Sequence, residues 1–430
     1  FLLVVFLTGG SSWSYAGQLL LLRPLAVLVA VWGLATLSAA QWRGNRALLA
    51  LTLSVVLLTG SHLLPLPYSV WSDLPGRDVV ARIEALAGFP AHARPMTLGP
   101  DASRNALYAL AVPLAVLALG AQLDERGLRR MAGLVLLLTG FGVLVMVAQL
   151  GGAGLQLYQP SAATKASGLF NNRNHQAALL AMIFPLAVLA WRGGYGVALP
   201  QRIVQLGAGG LAILAFPLIL ASGSRSGLVL GAVAALLAAS EAPWRRWWKR
   251  SRRALLAALT VAAAMAGGFV WLLVQSNRSD AVTRLADMSS DVRTEVWRSV
   301  VADLPTYWPW GTGIGAYADP YRINEPDSLL RPTYSNHAHN EWIEIAYTAG
   351  LPGLILLAVA VAMAGYGLVR AWRGRREDRV LARTGGTVLL VLAIASTTDY
   401  PVRTPIMSAI LILAALWLAR DAARHGPVKS

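Results

Sequence analysis

Met131-Ala-Gly-Leu-Val-Leu-Leu-Leu-Thr-Gly-Phe-Gly-Val-Leu-Val-Met-Val-Ala-Gln-Leu-Gly151 carries no charge over its whole length, and so long an uncharged run sets the fold class. About 20 apolar residues cross the roughly 30 Å of a bilayer's hydrocarbon as an α-helix. In lipid a segment must satisfy its own backbone, so only helices and closed barrels qualify. Barrel strands alternate over about ten residues, whereas this run, and a second from Ala254 to Val274, are continuously apolar. Working outward, apolar runs recur at 1–8, 19–40, 47–64, 106–119, 131–151, 175–190, 203–221, 227–239, 254–274, 342–369, 384–398 and 406–419. The expectation is an all-α polytopic membrane protein of about twelve transmembrane helices. Composition agrees, since 56% hydrophobic against 13% charged residues is too apolar for a water-soluble globule. The first run opens at Phe1 without an initiator Met or a basic leader, so no cleaved signal peptide can be argued from it.

Charge orients the spans. The alternate connections 41–46, 120–130, 191–202, 241–253, 370–383 and 420–430 hold 22 basic and 6 acidic residues. The opposite set is more than twice as long, yet holds 14 basic and, with Glu344 at its edge, 15 acidic residues. The positive-inside rule makes the first set cytoplasmic, with both termini on that side. Trp42, Trp191, Trp244, Trp247, Trp248 and Trp372 gather at those ends as interfacial anchors. The net charge of +16 is thereby a topology signal, and nucleic-acid binding is not needed to explain it. There is no cysteine, hence no disulfide or thiolate metal site. No Gly-rich phosphate loop and no zinc-spaced His/Glu pair occurs. Asp287 and Asp291, four apart, read as surface carboxylates rather than metal ligands.

Two outer connections, 65–105 and about 275–341, exceed the usual loop length. They divide the chain into helices over 1–274, a large outer loop over 275–341, and helices over 342–430. The second loop contains Arg293-Thr-Glu-Val-Trp297-Arg-Ser-Val, an expected amphipathic helix. It continues through Trp308-Pro-Trp310-Gly-Thr-Gly313-Ile-Gly315 to Ser335-Asn-His337-Ala-His339-Asn340-Glu341-Trp342. Asn340 is an expected N-cap, with Glu341 and Glu344 in the first turn, and Gly350-Leu-Pro352-Gly353 breaks the helix that follows. His339, just before a helix start, can accept a hydroxyl proton near neutral pH; it can equally be an interfacial histidine that orders the loop. His337 reads as its support.

Arg225, in Ala221-Ser-Gly-Ser-Arg-Ser-Gly227, is a cation in a very short outer turn, against the positive-inside trend. Arg173 stands in Gly168-Leu-Phe-Asn171-Asn-Arg173-Asn-His175, also before a span. Guanidinium forks suit phosphate oxygens, and the pair can form a diphosphate clamp; headgroup anchoring for Arg225 and capping contacts for Arg173 are the alternatives. Lys165 and Arg403 are further outer cations, and Asp399 is expected to pair with Arg403.

The segment from Arg293 to Leu356, with Trp-Gly-Thr-Gly-Ile-Gly, His-Ala-His-Asn-Glu-Trp-Ile-Glu and Ala-Gly-Leu-Pro-Gly-Leu, resembles the signature region of the O-antigen ligase and polysaccharide polymerase superfamily. Gly168–Ala177 and Ser222–Gly227 resemble that superfamily's two arginine motifs. The resemblance implies a GT-C-like helical fold with a large, partly helical periplasmic loop in a bacterial inner membrane. It also implies an inverting glycosyltransferase without metal or other cofactor. The donor would be an undecaprenyl diphosphate-linked glycan and the acceptor lipid A-core or another glycan, with membrane lipids and no nucleic acid around it. Arg173 and Arg225 would hold the diphosphate and His339 would be the base, with His337, Asn340, Lys165 and Arg403 on the substrates. Ligation is preferred and polymerisation of lipid-linked repeats is the alternative. A transporter would need charges recurring along its spans, where only Arg23 lies well inside. A scaffold would need none of the outer Arg/His residues.

Overall fold

The computed structural model describes residues 1–13, 16–158, 166–253, 292–330, 335–374 and 379–420, with scattered positions between 256 and 271. In chain order the helices are α1 (Leu2–Thr8), α2 (Leu19–Ala35), α3 (Ala39–Ser61), α4 (Tyr68–Ser72), α5 (Asp78–Leu86), α6 (Pro100–Ala109), α7 (Ala111–Gly120) and α8 (Glu125–Leu150). They continue as α9 (Arg173–Ala181), α10 (Ile183–Arg192), α11 (Gln201–Ala221), α12 (Arg225–Glu241) and α13 (Trp244–Arg250). The last are α14 (Val292–Tyr307), α15 (Ala318–Asn324), α16 (Glu341–Arg373), α17 (Val380–Ala395) and α18 (Pro405–Ala419). Two-residue strands β1 (Pro65–Leu66) and β2 (Arg94–Pro95) pair antiparallel, Pro65 opposite Pro95.

Among the described residues six helical stretches are long and apolar enough to cross a membrane: α3, α6–α7, α8, α9–α10, α11 and α16. Helices α2, α17 and α18 are apolar but shorter. The expected span at 254–274 lies outside the described residues but for scattered positions, and Lys165, Asp287 and Asp291 lie outside them entirely. Most helices start before the apolar run that announced them. Asp124, Asn172, Ser224, Asn340 and Thr404 cap α8, α9, α12, α16 and α18 through their side chains. A helix therefore begins at its polar cap, where an amide is satisfied, rather than at the first residue that prefers lipid. The run 19–40 is in fact two elements: Ser38 and Gln41 form a capping box that starts α3 inside that run, ahead of the expected connection at 41–46.

The core runs through the middle of the bundle, with Leu117, Leu128, Met146, Leu179, Val391 and Trp417 among its fully buried side chains. A smaller aromatic core of Tyr307, Tyr317, Tyr321 and Tyr347 lies under α14 and α15. Between this core and the 65–105 segment runs Trp308–Gly315. Thr312 N–H and Gly313 N–H donate to the Tyr347 and Thr348 carbonyls of α16, and Leu98 N–H donates to Thr312 O. The buried Arg77 guanidinium donates to Met96 O (2.8 Å) and Gly311 O (3.1 Å). His62, just past the end of α3, accepts from Ile314 N–H at 2.9 Å. The described parts of the two long connections thus pack against each other. The motif's glycines serve that packing: Gly313 has φ +114°, and a Cβ there would stand 2.0 Å from Thr97 Oγ1.

Gly313→Ala is expected to lower stability by roughly 1–3 kcal/mol through backbone strain and about as much again through the clash, read as a large drop in melting temperature in detergent. Gly365→Ala, which meets nothing within 4 Å, is expected to leave it unchanged or raise it slightly. Equal effects from the two would overturn the packing account. Burial, reinforced by the nearby Arg77 charge, brings the His62 pKa down to about 4. The unfolded imidazole binds its proton near pH 6.5, so stability is full above that value and declines as pH falls towards 4, by up to about 3 kcal/mol. His62→Gln is expected to flatten that part of a melting-temperature profile; an unchanged slope would exclude His62 as its source.

Candidate functional site

Helices α9 and α12 begin side by side. A Cβ on Gly227 would lie 2.4 Å from the Ala177 Cβ, so the glycine lets the two helices touch just inside their first turns. Arg173 and Arg225 are the first helical residues of this pair, each following its cap. Two helix N-termini with a guanidinium on each form an anion-favouring surface. The two helix starts are linked, since Ser224 Oγ donates to Asn174 Oδ1 at 2.7 Å.

Asn174 Nδ2 in turn donates to Asp399 Oδ2 at 2.6 Å, and Asn172 Nδ2 to the same oxygen at 3.0 Å. The other carboxylate oxygen accepts from His339 Nδ1 at 3.1 Å and from Tyr400 N–H at 3.0 Å, with His175 Nε2 at 3.7 Å. Burial alone would push the Asp399 pKa up; the His175 and His339 imidazoles outweigh it and hold the carboxyl well below its ordinary range. Asp399 is therefore ionised and can only accept, so His339 donates from Nδ1, and the neutral form of that ring carries its lone pair on Nε2. His339 has φ +52°, a left-handed conformation that costs a side-chain-bearing residue on the order of 1–3 kcal/mol. Its side chain remains 29% exposed, so the ring is reachable.

A second carboxylate holds the other histidine. Glu344, fully buried in the first turn of α16, takes His337 Nδ1 at 2.9 Å, Arg403 at 2.9 Å and Ala338 N–H at 3.0 Å. Burial lowers the His337 pKa even against the pull of Glu344. Tyr400 packs between the rings, its centroid 4.2 Å from His337, 5.0 Å from His339 and 5.3 Å from His175. Helix α14 braces this turn: Arg293 donates to Thr398 O (2.7 Å), and Trp297 Nε1 to Ala338 O (2.8 Å).

The structure therefore brings the Arg173, Arg225 and His339 motifs together. It corrects the expected Asp399–Arg403 pair: Arg403 pairs with Glu344, which frees Asp399 for the histidine and asparagines. Asn340 caps α16 as expected, its oxygen accepting from Trp342 and Ile343 N–H. Asp399, Glu344 and His175 were missed as site residues. Only Asp399 left a signal, as a lone acid in a short turn between two apolar runs. Among the described residues no group of three or more His, Cys, Asp or Glu side chains is placed to hold a metal ion. A cavity of about 1260 Å³ adjoins the cluster on its His337, Glu341 and Arg403 side; His339, Arg173 and Arg225 do not line it.

Residues 210–358 match the family model described as O-antigen ligase. The match contains Arg225, His337, His339 and the break at Gly350, while Arg173 and Asp399 lie to either side of it. No curated protein matches the chain.

Glu344→Gln is expected to cost about 1–3 kcal/mol of stability, because it strips the partly buried Arg403 cation of its counter-charge. Adding Arg403→Met to it is expected to recover part of the loss. A melting-temperature change for Glu344→Gln within the roughly 0.5 kcal/mol of an ordinary surface substitution would show that this pair does not hold the turn.

Proposed function

We propose, supported by the match of residues 210–358 to the family model described as O-antigen ligase, that the chain moves a glycan from undecaprenyl diphosphate to an acceptor hydroxyl, with lipid A-core as the acceptor. The coarser conclusion, a membrane glycosyltransferase of the O-antigen ligase and polymerase family, is the frame for it. The observation that carries the finer reading is the convergence of His339, Asn172 and Asn174 on one ionised carboxylate, beside the helix starts that bear Arg173 and Arg225. His339 Nε2 takes the acceptor's hydroxyl proton as that oxygen attacks the anomeric carbon. The sugar–phosphate bond breaks on the opposite face, which inverts the centre, and its electron pair passes to the diphosphate. Arg173 and Arg225 stabilise that growing charge. Asp399 fixes the tautomer of His339 and stabilises the imidazolium that results, as the carboxylate does in a Ser-His-Asp triad.

In this reading the cluster faces the periplasm from a bacterial inner membrane, in a layout of about twelve spans with cytoplasmic termini. The charge asymmetry of the connections supports that orientation. His337 and Arg403 border the substrate space, and no metal or nucleotide takes part. Joining lipid-linked repeats into a polymer is the same chemistry with another acceptor, so the acceptor decides between the two.

The test is transfer by the purified protein from a synthetic undecaprenyl diphosphate glycan to lipid A-core and, separately, to a second lipid-linked repeat. His339→Ala is expected to lower kcat by roughly 10²–10⁴. Arg225→Lys keeps the charge but loses the fork, and is expected to slow transfer at least about tenfold. Full turnover by His339→Ala sinks its role as base, unchanged donor affinity and rate in Arg225→Lys count against the clamp, and product with the lipid-linked repeat alone makes the protein a polymerase.

A further inference from the structure

The cavity beside His337 has a second end that the proposed chemistry does not use. Its wall follows α3 from Arg43 to Thr59, roughly 24 Å at 1.5 Å per residue, most of a bilayer's hydrocarbon depth. Opposite runs α16, from Trp342 to Arg370, with Leu356, Leu357, Ala360 and Val361 facing the same space. The two helices are antiparallel here: His62, past the end of α3, meets Ile314, whose neighbour Thr312 is bonded to Tyr347 near the start of α16. Only 6% of the most apolar window of α16 is covered by the rest of the protein, and 17% of that of α3, so both walls look out into lipid.

Charge is distributed unevenly along this groove. The carboxylates that line it, Asp101, Asp319 and Glu341, all belong to the end near the Asp399 cluster. Arg43, Arg46 and Arg370 line the other end, and among the described residues none of the three has a carboxylate within 4 Å. Arg370 is steadied instead by the Tyr366 ring, 5.6 Å away. An apolar trough of membrane depth that ends in three guanidinium groups, none with a carboxylate partner among the described residues, is complementary to an amphiphile with hydrocarbon chains and an anionic head.

We infer that the groove between α3 and α16 holds an anionic glycerophospholipid of the leaflet on the Arg43 side, its phosphate between Arg43, Arg46 and Arg370 and its acyl chains against Leu51, Val55, Leu356 and Val361. The inference stands on the groove's geometry and does not depend on the glycosyl-transfer reading. A basic surface attracts anionic lipid in a diffuse way; this site is distinguished by a chain-sized trough joined to the charges.

The experiment places the full chain in nanodiscs of equal phosphatidylglycerol and phosphatidylcholine, with trace spin-labelled lipid of either kind, and counts lipids retained after extraction by native mass spectrometry. The wild type is expected to retain phosphatidylglycerol over phosphatidylcholine by tenfold or more, since each arginine near the surface contributes roughly a fivefold preference. Arg43→Gln, Arg46→Gln and Arg370→Gln together are expected to bring that ratio within twofold. Removing three charges elsewhere on the same face, by Arg126→Gln, Arg130→Gln and Arg202→Gln, is expected to leave it. Ala364→Trp, which fills the trough and keeps every charge, is expected to lose lipid of both kinds. An equal fall in the two triple variants, or full retention in Ala364→Trp, overturns the site. Should the first triple variant fail to fold, the Lys versions of Arg43, Arg46 and Arg370 decide with Ala364→Trp: the Lys protein keeps the preference and the Trp protein loses the lipid, or the site is wrong.

Discussion

A carboxylate taken out of water must be matched by donors or it does not stay ionised. Asp399 is 2% exposed and accepts from two asparagine amides, one imidazole and one backbone N–H. Those donors come from three places far apart in the chain: the start of α9, the turn before α16 and the turn after α17. Satisfying one buried charge therefore forces three loops to close together. The link from Asn174 to Ser224 adds the start of α12 without touching the carboxylate. Each asparagine gives Asp399 a donor and keeps an oxygen for its own neighbourhood, which a lysine or arginine at the same place would not do.

That closure is possible because the helices beneath it are held at their opposite end as well. Arg383 of α17 donates to both oxygens of Glu241, the last residue of α12, at 2.9 and 3.0 Å. It also donates to the carbonyls of Ala371, Trp372 and Gly374 at the end of α16. One guanidinium satisfies a buried carboxylate and the orphan carbonyls of a helix terminus together. Three of the elements whose other ends meet near Asp399 are thus tied twice. Small displacements of the His339 turn have to work against both ties, and that stiffness lets a residue with φ +52° persist on a loop.

Much of this was legible in the residues. Long charge-free runs announce spans because lipid admits few alternatives, and Asn340, Glu341 and Glu344 announce a helix start because caps have a local grammar. Arg173, Arg225 and His339 stood out as polar groups where polarity is expensive. What the chain could not disclose was pairing. Asp399 and Arg403, four residues apart, look like an ion pair; the 3₁₀ turn at Pro401–Arg403 turns the arginine towards Glu344 and the carboxylate towards His339. The glycines of Trp-Gly-Thr-Gly-Ile-Gly mark a turn-rich stretch in sequence, but their cause, Thr97 and Thr348 from distant segments, is tertiary. Span ends were misjudged wherever a polar cap began a helix earlier than the apolar run.

The doubled histidine follows from the same division of partners. With one residue between them, His337 and His339 are presented to different carboxylates, Glu344 and Asp399, on either side of Tyr400. Glu344 already carries the Arg403 cation, so a proton on His337 would put a second positive charge on a carboxylate already matched, and burial opposes it further. Asp399, by contrast, accepts from two asparagine amides, a backbone N–H and the His339 imidazole. The two rings are therefore not equivalent: His337 faces a carboxylate that already carries a cation and borders the cavity, whereas His339 faces Asp399 and stays partly exposed.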